Sequence, residues 1–180
     1  MDAIKMIKER RSVRKFKDEK VDRDVIKEIV SLATYSPTWA NSQTARYTVV
    51  DDKELLKRLA NESMKGFQFN INTASNAAGA VVVSAVKGLS GYSPDGKIVT
   101  KKDDEWEMFD AGVASQTFCL AAHEKGIGTV IMGIFDEDKV ADMINLPDNE
   151  VVEAIIPYGY PEGTQNMPKR KDIGEVIRFI

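Results

Sequence analysis

The sequence predicts a mixed α/β fold of the α+β type, with about four strands among five or six helices. Three observations lead to this prediction. The spacing of apolar residues alternates between a helical and an extended period along the chain. The run AVVVSAV (80–86) is typical of a buried strand, and WEMFDAGVASQTFCLAAHEKG (106–126) is typical of a long, centrally buried helix. With 180 residues, 43% of them hydrophobic, and no internal repeat or linker, we expect one domain over residues 1–180.

The first half of the chain contains three helical patterns and one strand pattern. Asp2 is placed to cap a first helix, and residues 22–36 carry apolar side chains on one helical face. Residues 46–50 predict a strand, and Asp52 is placed to cap the next helix. Beyond the 80–86 strand, residues 87–105 are rich in Gly, Ser and charge, which predicts the one long loop of the molecule. The remaining predicted elements are a strand at 129–135, a helix at 136–145 and a strand at 151–160.

Composition and charge exclude several classes of protein. The net charge of −3 and a pI near 5.3 argue against a nucleic-acid binder, although residues 5–20 are locally basic. A single cysteine, Cys119, excludes an intramolecular disulfide, and we interpret it as a small core residue. No apolar run has the length of a membrane span or the plan of a signal peptide, so we expect a soluble, cytoplasmic protein.

The common catalytic motifs are missing from the sequence. The glycines of 126–133 do not have the spacing of a dinucleotide-binding loop, and neither a P-loop nor a Gly-x-Ser-x-Gly turn occurs. His123 is the only histidine, so a catalytic triad with alternatives or a histidine-rich metal site cannot be assembled. We interpret His123 as a residue that offsets the dipole of its helix, and we expect no metal.

Two basic clusters remain as candidate binding sites. The stretch RRSVRKF (10–16) follows the first helix, and PKRK (168–171) lies near the C-terminus. Lysines in such clusters usually lie on solvated faces. Arginine guanidinium groups, however, match phosphate oxygens with two hydrogen bonds, and a serine hydroxyl adds a neutral donor. Residues 10–14 therefore predict a site for a small phosphate monoester.

Several motifs resemble those of the FMN-dependent nitroreductase family, in the same order along nearly the whole chain. They are RRSVRKF, YSPTWANSQ (35–43), an asparagine near the end of the third helix, AAHEKGIGTVIMGIF (121–135) and IIPYGYPEGTQNMPKRKDIGEVI (155–177). The resemblance implies a central, mainly antiparallel sheet of about four to five strands surrounded by helices. It also implies a homodimer with two FMN molecules, each bound across the subunit interface.

The resemblance assigns the FMN phosphate to the two basic clusters. Arg10 and Arg170, supported by Lys169, match the residues that hold the phosphate, and Arg11 and Ser12 match contacts to the phosphate and ribityl region. The anion expected at the first cluster is therefore the phosphate of FMN.

Residues of the same subunit are implied to contact the flavin ring. Arg14 matches a cation near flavin N1 and O2, where reduction leaves negative charge. Asn70, or alternatively Asn72, matches the asparagine at the pyrimidine edge. Met132 and Gly133 match the segment whose backbone N–H approaches flavin N5, and glycine there permits close approach. Arg14 and Gly133 are thus the residues that the resemblance implies for catalysis.

A loop of the other subunit is implied to cover the flavin. Its matching residues are Ser36, Pro37, Thr38, Trp39 and Asn41. We name residues 36–43 the Ser-Pro loop; Pro37 is expected to fix its backbone.

The implied reaction is a ping-pong transfer of hydride from NADH or NADPH through FMN to a flat electrophile such as a nitroaromatic or a quinone. Alternatives within the resemblance are a different flavin reaction, such as dehalogenation, and a storage or sensing module without rapid turnover. The 87–105 loop falls where the family varies most, beside the substrate pocket. The sequence has no feature that separates NADH from NADPH or identifies the acceptor.

Overall fold

The computed structural model describes residues 2–180 and contains six α-helices and four β-strands in that range. The helices are α1 (Ala3–Glu9), α2 (Arg23–Ala33), α3 (Lys53–Ser63), α4 (Gln68–Ser75), α5 (Glu105–Glu124) and α6 (Glu137–Ile144). The strands are β1 (Ala45–Val50), β2 (Gly79–Val86), β3 (Gly128–Thr129) and β4 (Glu150–Gly159). None of the helices within residues 2–180 combines the length and the apolar character needed to cross a membrane.

The four strands form one antiparallel sheet with the order β1-β2-β4-β3. The predicted mixed α/β class is therefore confirmed. β2 is buried along nearly its whole length, as its continuous run of apolar and small residues requires. β1 is an edge strand, so one of its backbone edges has no partner strand in the described chain. A bulge between Val83 and Ser84 leaves Glu153 of β4 without a paired residue.

Aspartate caps begin the helices as predicted. The carboxylate of Asp2 accepts a hydrogen bond from the Ile4 N–H at 3.0 Å, and that of Asp52 accepts one from the Leu55 N–H at 2.8 Å. α2 ends at Ala33 rather than at residue 36, so the predicted end was wrong. Pro37 disfavours a helical conformation of Ser36, and the hydroxyls of Thr34 and Ser36 donate to the Ser31 and Ala33 carbonyls at the end of the helix.

Helices cover both faces of the sheet and create two apolar clusters. On one face, α3, α4 and α6 pack with Val13 and Phe16 of the segment that follows α1. On the other face, α2 and α5 pack against the apolar side chains of β2 and β4. The inward side of α5 is consequently buried, in agreement with the prediction of a central helix.

Two irregular regions differ from the prediction. The expected strand at 129–135 contracts to Gly128–Thr129 with one further bridge, from Met132 to Ile155. Its apolar residues are not buried on both faces, because Ile131 and Ile134 are about half exposed. The 87–105 loop is not the one long loop either. Residues 161–172 form no helix or strand, since their prolines, glycine and polar side chains supply little that could pack into a core.

Candidate functional site

The segment 10–16 leaves the C-terminal end of α1 and runs beside β3. Arg10 ends α1 by donating its backbone N–H to the Met6 carbonyl at 3.0 Å. Val13 then donates its N–H to the Thr129 carbonyl at 2.9 Å. The burial of Val13 and Phe16 anchors the segment, while Arg14 remains exposed. Two core side chains therefore fix the backbone that carries the arginines.

The arginines of this segment have different environments. Arg10 and Arg11 both line a pocket of about 500 Å³, together with His123 and Thr129. Arg11 turns its guanidinium back onto α1, donating to the carbonyls of Lys8 at 2.6 Å and Arg10 at 2.7 Å. The Arg10 guanidinium has no hydrogen-bond or ion-pair partner within residues 2–180. Arg10 is thus the better-placed anion ligand, and Arg11 stabilises the end of α1.

The pocket also contains a histidine with an unsatisfied nitrogen. His123 Nε2 is buried and has no partner in the described part of the chain. Burial lowers the pKa of His123; the negative charge of Glu9 opposes this shift, and the positive charges of Arg10 and Arg11 add to it. His123 does lie in the last turn of α5, where a cation would offset the helix dipole, but the lowered pKa disfavours the charged imidazole.

Asn70 and Asn72 lie on opposite sides of α4. Asn70 is 8% exposed, and its amide makes no hydrogen bond within residues 2–180. Asn72 is exposed, and its side-chain oxygen accepts a hydrogen bond from Gln68 at 2.7 Å. Both polar atoms of the Asn70 amide are unpaired within residues 2–180, whereas the oxygen of Asn72 is already used, which favours Asn70 of the two candidates.

α4 also brings aromatic side chains to this region. The Arg14 guanidinium lies 5.5 Å from the centroid of the Phe69 ring, and Phe69 in turn contacts Phe67 at 6.3 Å between centroids. Phe69 is 55% exposed. No motif in the sequence pointed to this pair. Phe69 directly precedes Asn70, so on the helix it lies about 100° away from that buried residue, and its place beside a candidate ligand residue is the signal that could have found it.

Gly133 provides a backbone group beside open space. The neighbouring Met132 is buried, and its N–H and carbonyl are both used by Ile155, at 2.8 and 3.1 Å. A Cβ built on Gly133 would meet no atom within 4 Å. Of the two residues, Gly133 is therefore the one whose N–H can reach a ligand.

The Ser-Pro loop lies at the other end of α5. The Trp39 N–H donates to the carboxylate of Asp110 at 2.9 Å, and the Trp39 ring lies 5.1 Å from that of Trp106. The Ser36 hydroxyl donates to the Ala33 carbonyl at 2.7 Å, and the Thr38 hydroxyl accepts from the Gln43 N–H at 3.0 Å. These two side chains are satisfied within the chain, so the loop offers a ligand mainly backbone groups and the exposed Pro37 and Asn41.

The two groups of candidate residues are far apart within one chain. Asp110, which holds the Ser-Pro loop, and His123, beside Arg10, are thirteen residues apart on α5, or about 20 Å at 1.5 Å per residue. The structure thus brings the 10–14 segment, α4 and the 128–133 segment together, but not the Ser-Pro loop. Lys169 and Arg170 are exposed and line a separate pocket of about 600 Å³ in the C-terminal tail. No cluster of His, Cys, Asp or Glu in residues 2–180 could hold a metal ion.

An antiparallel sheet between two helical layers, with arginines and the unpaired Asn70 amide at one side, is an α+β architecture with a candidate ligand site. The solved FMN-dependent nitroreductase of Clostridium difficile R20291 has this fold, with a TM-score of 0.78, 28% identity and 98% of each chain covered. A protein of Archaeoglobus fulgidus, provisionally named an NADH dehydrogenase/NAD(P)H nitroreductase, is 29% identical over 175 residues, covering 95% of this chain and 92% of its own.

An iodotyrosine deiodinase of Thermotoga neapolitana is 25% identical over 179 residues, covering 97% of this chain and 95% of its own. Residues 7–160 match the model of the nitroreductase family. The chain therefore belongs to the nitroreductase family and is an oxidoreductase.

Proposed function

We propose that this protein is an FMN-dependent oxidoreductase that transfers hydride from NAD(P)H to a flat electrophile such as a nitroaromatic or a quinone. The observation that carries the proposal is the group of free hydrogen-bonding atoms on three adjoining segments: the Arg10 guanidinium, the Asn70 amide and the Gly133 N–H. Their segments share the apolar cluster that contains Val13 and Met132. A relative named as FMN-dependent supports the choice of cofactor.

The residues present fit the parts of FMN. Arg10 and Ser12 would hold the phosphate, with Lys169 and Arg170 reaching it from the C-terminal tail. Asn70 would pair with the pyrimidine edge of the ring. The open space over Gly133 would admit the ring at the distance that a hydrogen bond from its N–H requires.

When bound, FMN supplies the site that accepts hydride from one substrate and returns it to the next. Arg14 would place a positive charge where negative charge develops on reduction; the one hydrogen bond that its guanidinium makes within residues 2–180 is long, at 3.3 Å to the Ser12 carbonyl. The Gly133 N–H would orient the ring. Protons come from water, because the site requires no side-chain acid or base. NAD(P)H is a cytoplasmic metabolite, so the proposal also places this single-domain enzyme in the cytoplasm.

We further infer a homodimer in which the Ser-Pro loop of one subunit covers the flavin of the other. Within one chain, the length of α5 keeps that loop away from Arg10, so a second copy is the available source of a cover. Two neighbouring apolar residues of α5, Met108 and Phe109, are 60% and 59% exposed. An exposed apolar patch of this kind is typical of a surface that contacts another chain.

The C-terminal tail fits the same assembly. A groove of about 630 Å³ lies between α2 and the edge strand β1, and the buried hydroxyl of Tyr47, which lines it, has no partner in the described chain. The tail carries large exposed apolar side chains, including Val176 and Phe179. We propose that the tail of one subunit lies along β1 of the other, where it would satisfy the free strand edge.

The proposal is tested by purification without added flavin, followed by steady-state kinetics. The expected result is about one FMN per chain, a dimer in sedimentation, and parallel double-reciprocal plots when NADH or NADPH is varied against a nitroaromatic or a quinone. FMN-loaded protein that oxidises neither donor would support a storage or sensing module instead. Protein that takes up no FMN would refute the assignment.

The likeness to an iodotyrosine deiodinase favours a second candidate, the reductive dehalogenation of an aromatic halide. Photoreduced protein mixed with a nitrophenol or with an iodophenol of the same shape separates the two. Faster reoxidation by the iodophenol, with release of iodide, would support dehalogenation.

A further inference from the structure

One buried carboxylate on α5 holds two loops that are separate in sequence. Oδ2 of Asp110 accepts hydrogen bonds from the backbone N–H of Trp39, in the Ser-Pro loop, and from the hydroxyl of Ser90, in the 87–105 loop. Asp110 is 2% exposed and Ser90 is fully buried. The hydroxyl of Ser42 lies 3.1 Å from that of Ser90 and adds a direct contact between the two loops.

The side chain of Trp39 is attached to the 87–105 loop as well. Its indole N–H donates to the Tyr92 carbonyl at 3.3 Å. Its ring contacts Trp106, whose own indole N–H donates to the Thr100 hydroxyl at 3.0 Å. The position of Trp39 therefore depends on the conformation of the 87–105 loop.

The backbone that follows Trp39 is strained. Ala40, Asn41 and Gln43 have φ angles of 43°, 57° and 50°, in the left-handed region that residues with a Cβ rarely adopt. Such conformations persist only where surrounding contacts enforce them. The hydrogen bonds of Asp110 and Ser90 are buried contacts between this stretch and the rest of the fold that can do so, beside the contacts of the Trp39 side chain.

We propose that Asp110 is a positioning residue for the redox reaction. It joins the Ser-Pro loop to the 87–105 loop, so that the conformation of the 87–105 loop determines where Trp39 lies over the acceptor site. This inference rests on the proposed function, in which the Ser-Pro loop covers the flavin. It predicts that the 87–105 loop influences both acceptor binding and FMN affinity through Trp39, without touching the flavin.

Glu107 provides a matched control on the same helix. It lies one turn before Asp110, is 3% exposed, and accepts a hydrogen bond from the Gly88 N–H at 2.5 Å. Burial raises its pKa. Glu107 holds the start of the 87–105 loop, at Gly88, whereas Ser90 and Tyr92 are the residues of this loop that reach Asp110 and Trp39. Truncation of Glu107 therefore removes a buried carboxylate but should leave the contacts among Ser90, Asp110 and Trp39 in place.

The experiment compares Asp110→Ala, Asp110→Asn, Ser90→Ala and Glu107→Ala in the complete protein. Far-ultraviolet circular dichroism of the apoprotein reports the Trp39–Trp106 pair, because two indole rings 5.1 Å apart give an exciton signal there. FMN affinity and the KM for a nitroaromatic acceptor are measured in parallel.

Asp110→Ala should abolish the exciton signal, weaken FMN binding by about tenfold and raise the acceptor KM by about as much, with a smaller change in kcat. Asp110→Asn should keep the exciton signal, the FMN affinity and the acceptor KM near the wild-type values, because an amide oxygen can accept both hydrogen bonds. Ser90→Ala should change them in the same direction to a smaller extent. Glu107→Ala should keep the exciton signal.

Two results would overturn the proposal, for different reasons. An unchanged exciton signal in Asp110→Ala would mean that Asp110 does not position Trp39, whatever the function of the protein. A lost signal with wild-type FMN affinity and acceptor KM would mean that the Ser-Pro loop does not cover the flavin, which contradicts the proposed function itself. If Asp110→Ala does not fold, Ser90→Ala is the deciding variant. An unchanged exciton signal, FMN affinity and acceptor KM in Ser90→Ala would then overturn the proposal.

Discussion

The replacement Gly133→Ala separates a role in cofactor binding from a role in folding. The added Cβ would meet no atom of the chain within 4 Å, and the Gly133 backbone is outside the left-handed region. The free energy of unfolding of the apoprotein should therefore stay the same or rise by up to about 1 kcal/mol, because alanine restricts the unfolded chain.

FMN binding should respond in the opposite direction. The Gly133 N–H must approach the flavin to about 2.9–3.0 Å, and a methyl group on the adjacent Cα would occupy the space that the ring needs. Loss of this hydrogen bond and its contacts corresponds to about 1–3 kcal/mol, or roughly a five- to 150-fold rise in Kd at 1.4 kcal/mol per tenfold. Quenching of FMN fluorescence by the apoprotein measures Kd, and calorimetry measures stability.

Gly128→Ala serves as the contrasting variant. A Cβ on Gly128 would lie 2.7 Å from a methyl of the buried Val13, so this variant should lose stability even without flavin. A stable Gly133→Ala protein that binds FMN as tightly as the wild type would refute the placement of Gly133 against the flavin.

Further predictions concern four more features. Arg10→Ala should weaken FMN binding by about ten- to a hundredfold, because it removes a charge-assisted hydrogen bond, whereas riboflavin binding should not change. Arg14→Gln should lower the two-electron potential of bound FMN by tens of millivolts, measured by equilibration with a reference dye, at about 1.4 kcal/mol per 30 mV. Asn70→Ala should weaken FMN binding in the fluorescence titration, and Asn72→Ala should not. Burial and neighbouring carboxylates raise the pKa of Glu153 to about 7 from 4.5, so the folded chain keeps a proton that the unfolded chain releases, and stability should fall as the pH rises between those values. Glu153→Gln should remove this slope and be more stable at pH 8 by about 1 kcal/mol after solvent screening, as thermal melts at several pH values would show.

The features predicted well from the sequence are those determined by near neighbours. Asp2 and Asp52 cap helices because a carboxylate two or three residues before a free N–H needs no information from the rest of the fold. The length of β3, by contrast, depends on residues that are distant in the sequence. The run at 129–135 is as apolar as a strand, but a strand also requires a partner edge. Beyond Thr129 the pairing with β4 is limited, in the described chain, to a hydrogen bond from the Val130 N–H to the Pro157 carbonyl at 3.3 Å and the bridge between Met132 and Ile155.

In the candidate site, too, the features set by near neighbours were predicted and those set by distant contacts were not. Arginine chemistry predicts an anion site at residues 10–14, but only the structure shows that the Arg11 side chain is used by the end of α1. Asp110 could not be predicted, because an aspartate on a helix is usually solvated. Asp110 is buried because the Ser-Pro loop and the 87–105 loop both fold over its turn of α5. These loops precede Asp110 by about seventy and about twenty residues in the sequence.

In the dimer that we propose, α5 explains why each subunit carries two separated halves of a site. Around a twofold axis that crosses the middle of this helix, two copies of α5 run antiparallel, so the Asp110 end of one lies beside the His123 end of the other. Near the middle of α5, Gly112 and Gln116 are exposed, and a Cβ on Gly112 would meet no atom of its own chain within 4 Å. A small residue at this point permits two helix backbones to approach closely. The Asp110 and His123 ends of α5 are about 20 Å apart, so one chain cannot complete a site. In the antiparallel pair, the Asp110 end of each chain lies beside the His123 end of the other, and the two chains together complete two sites.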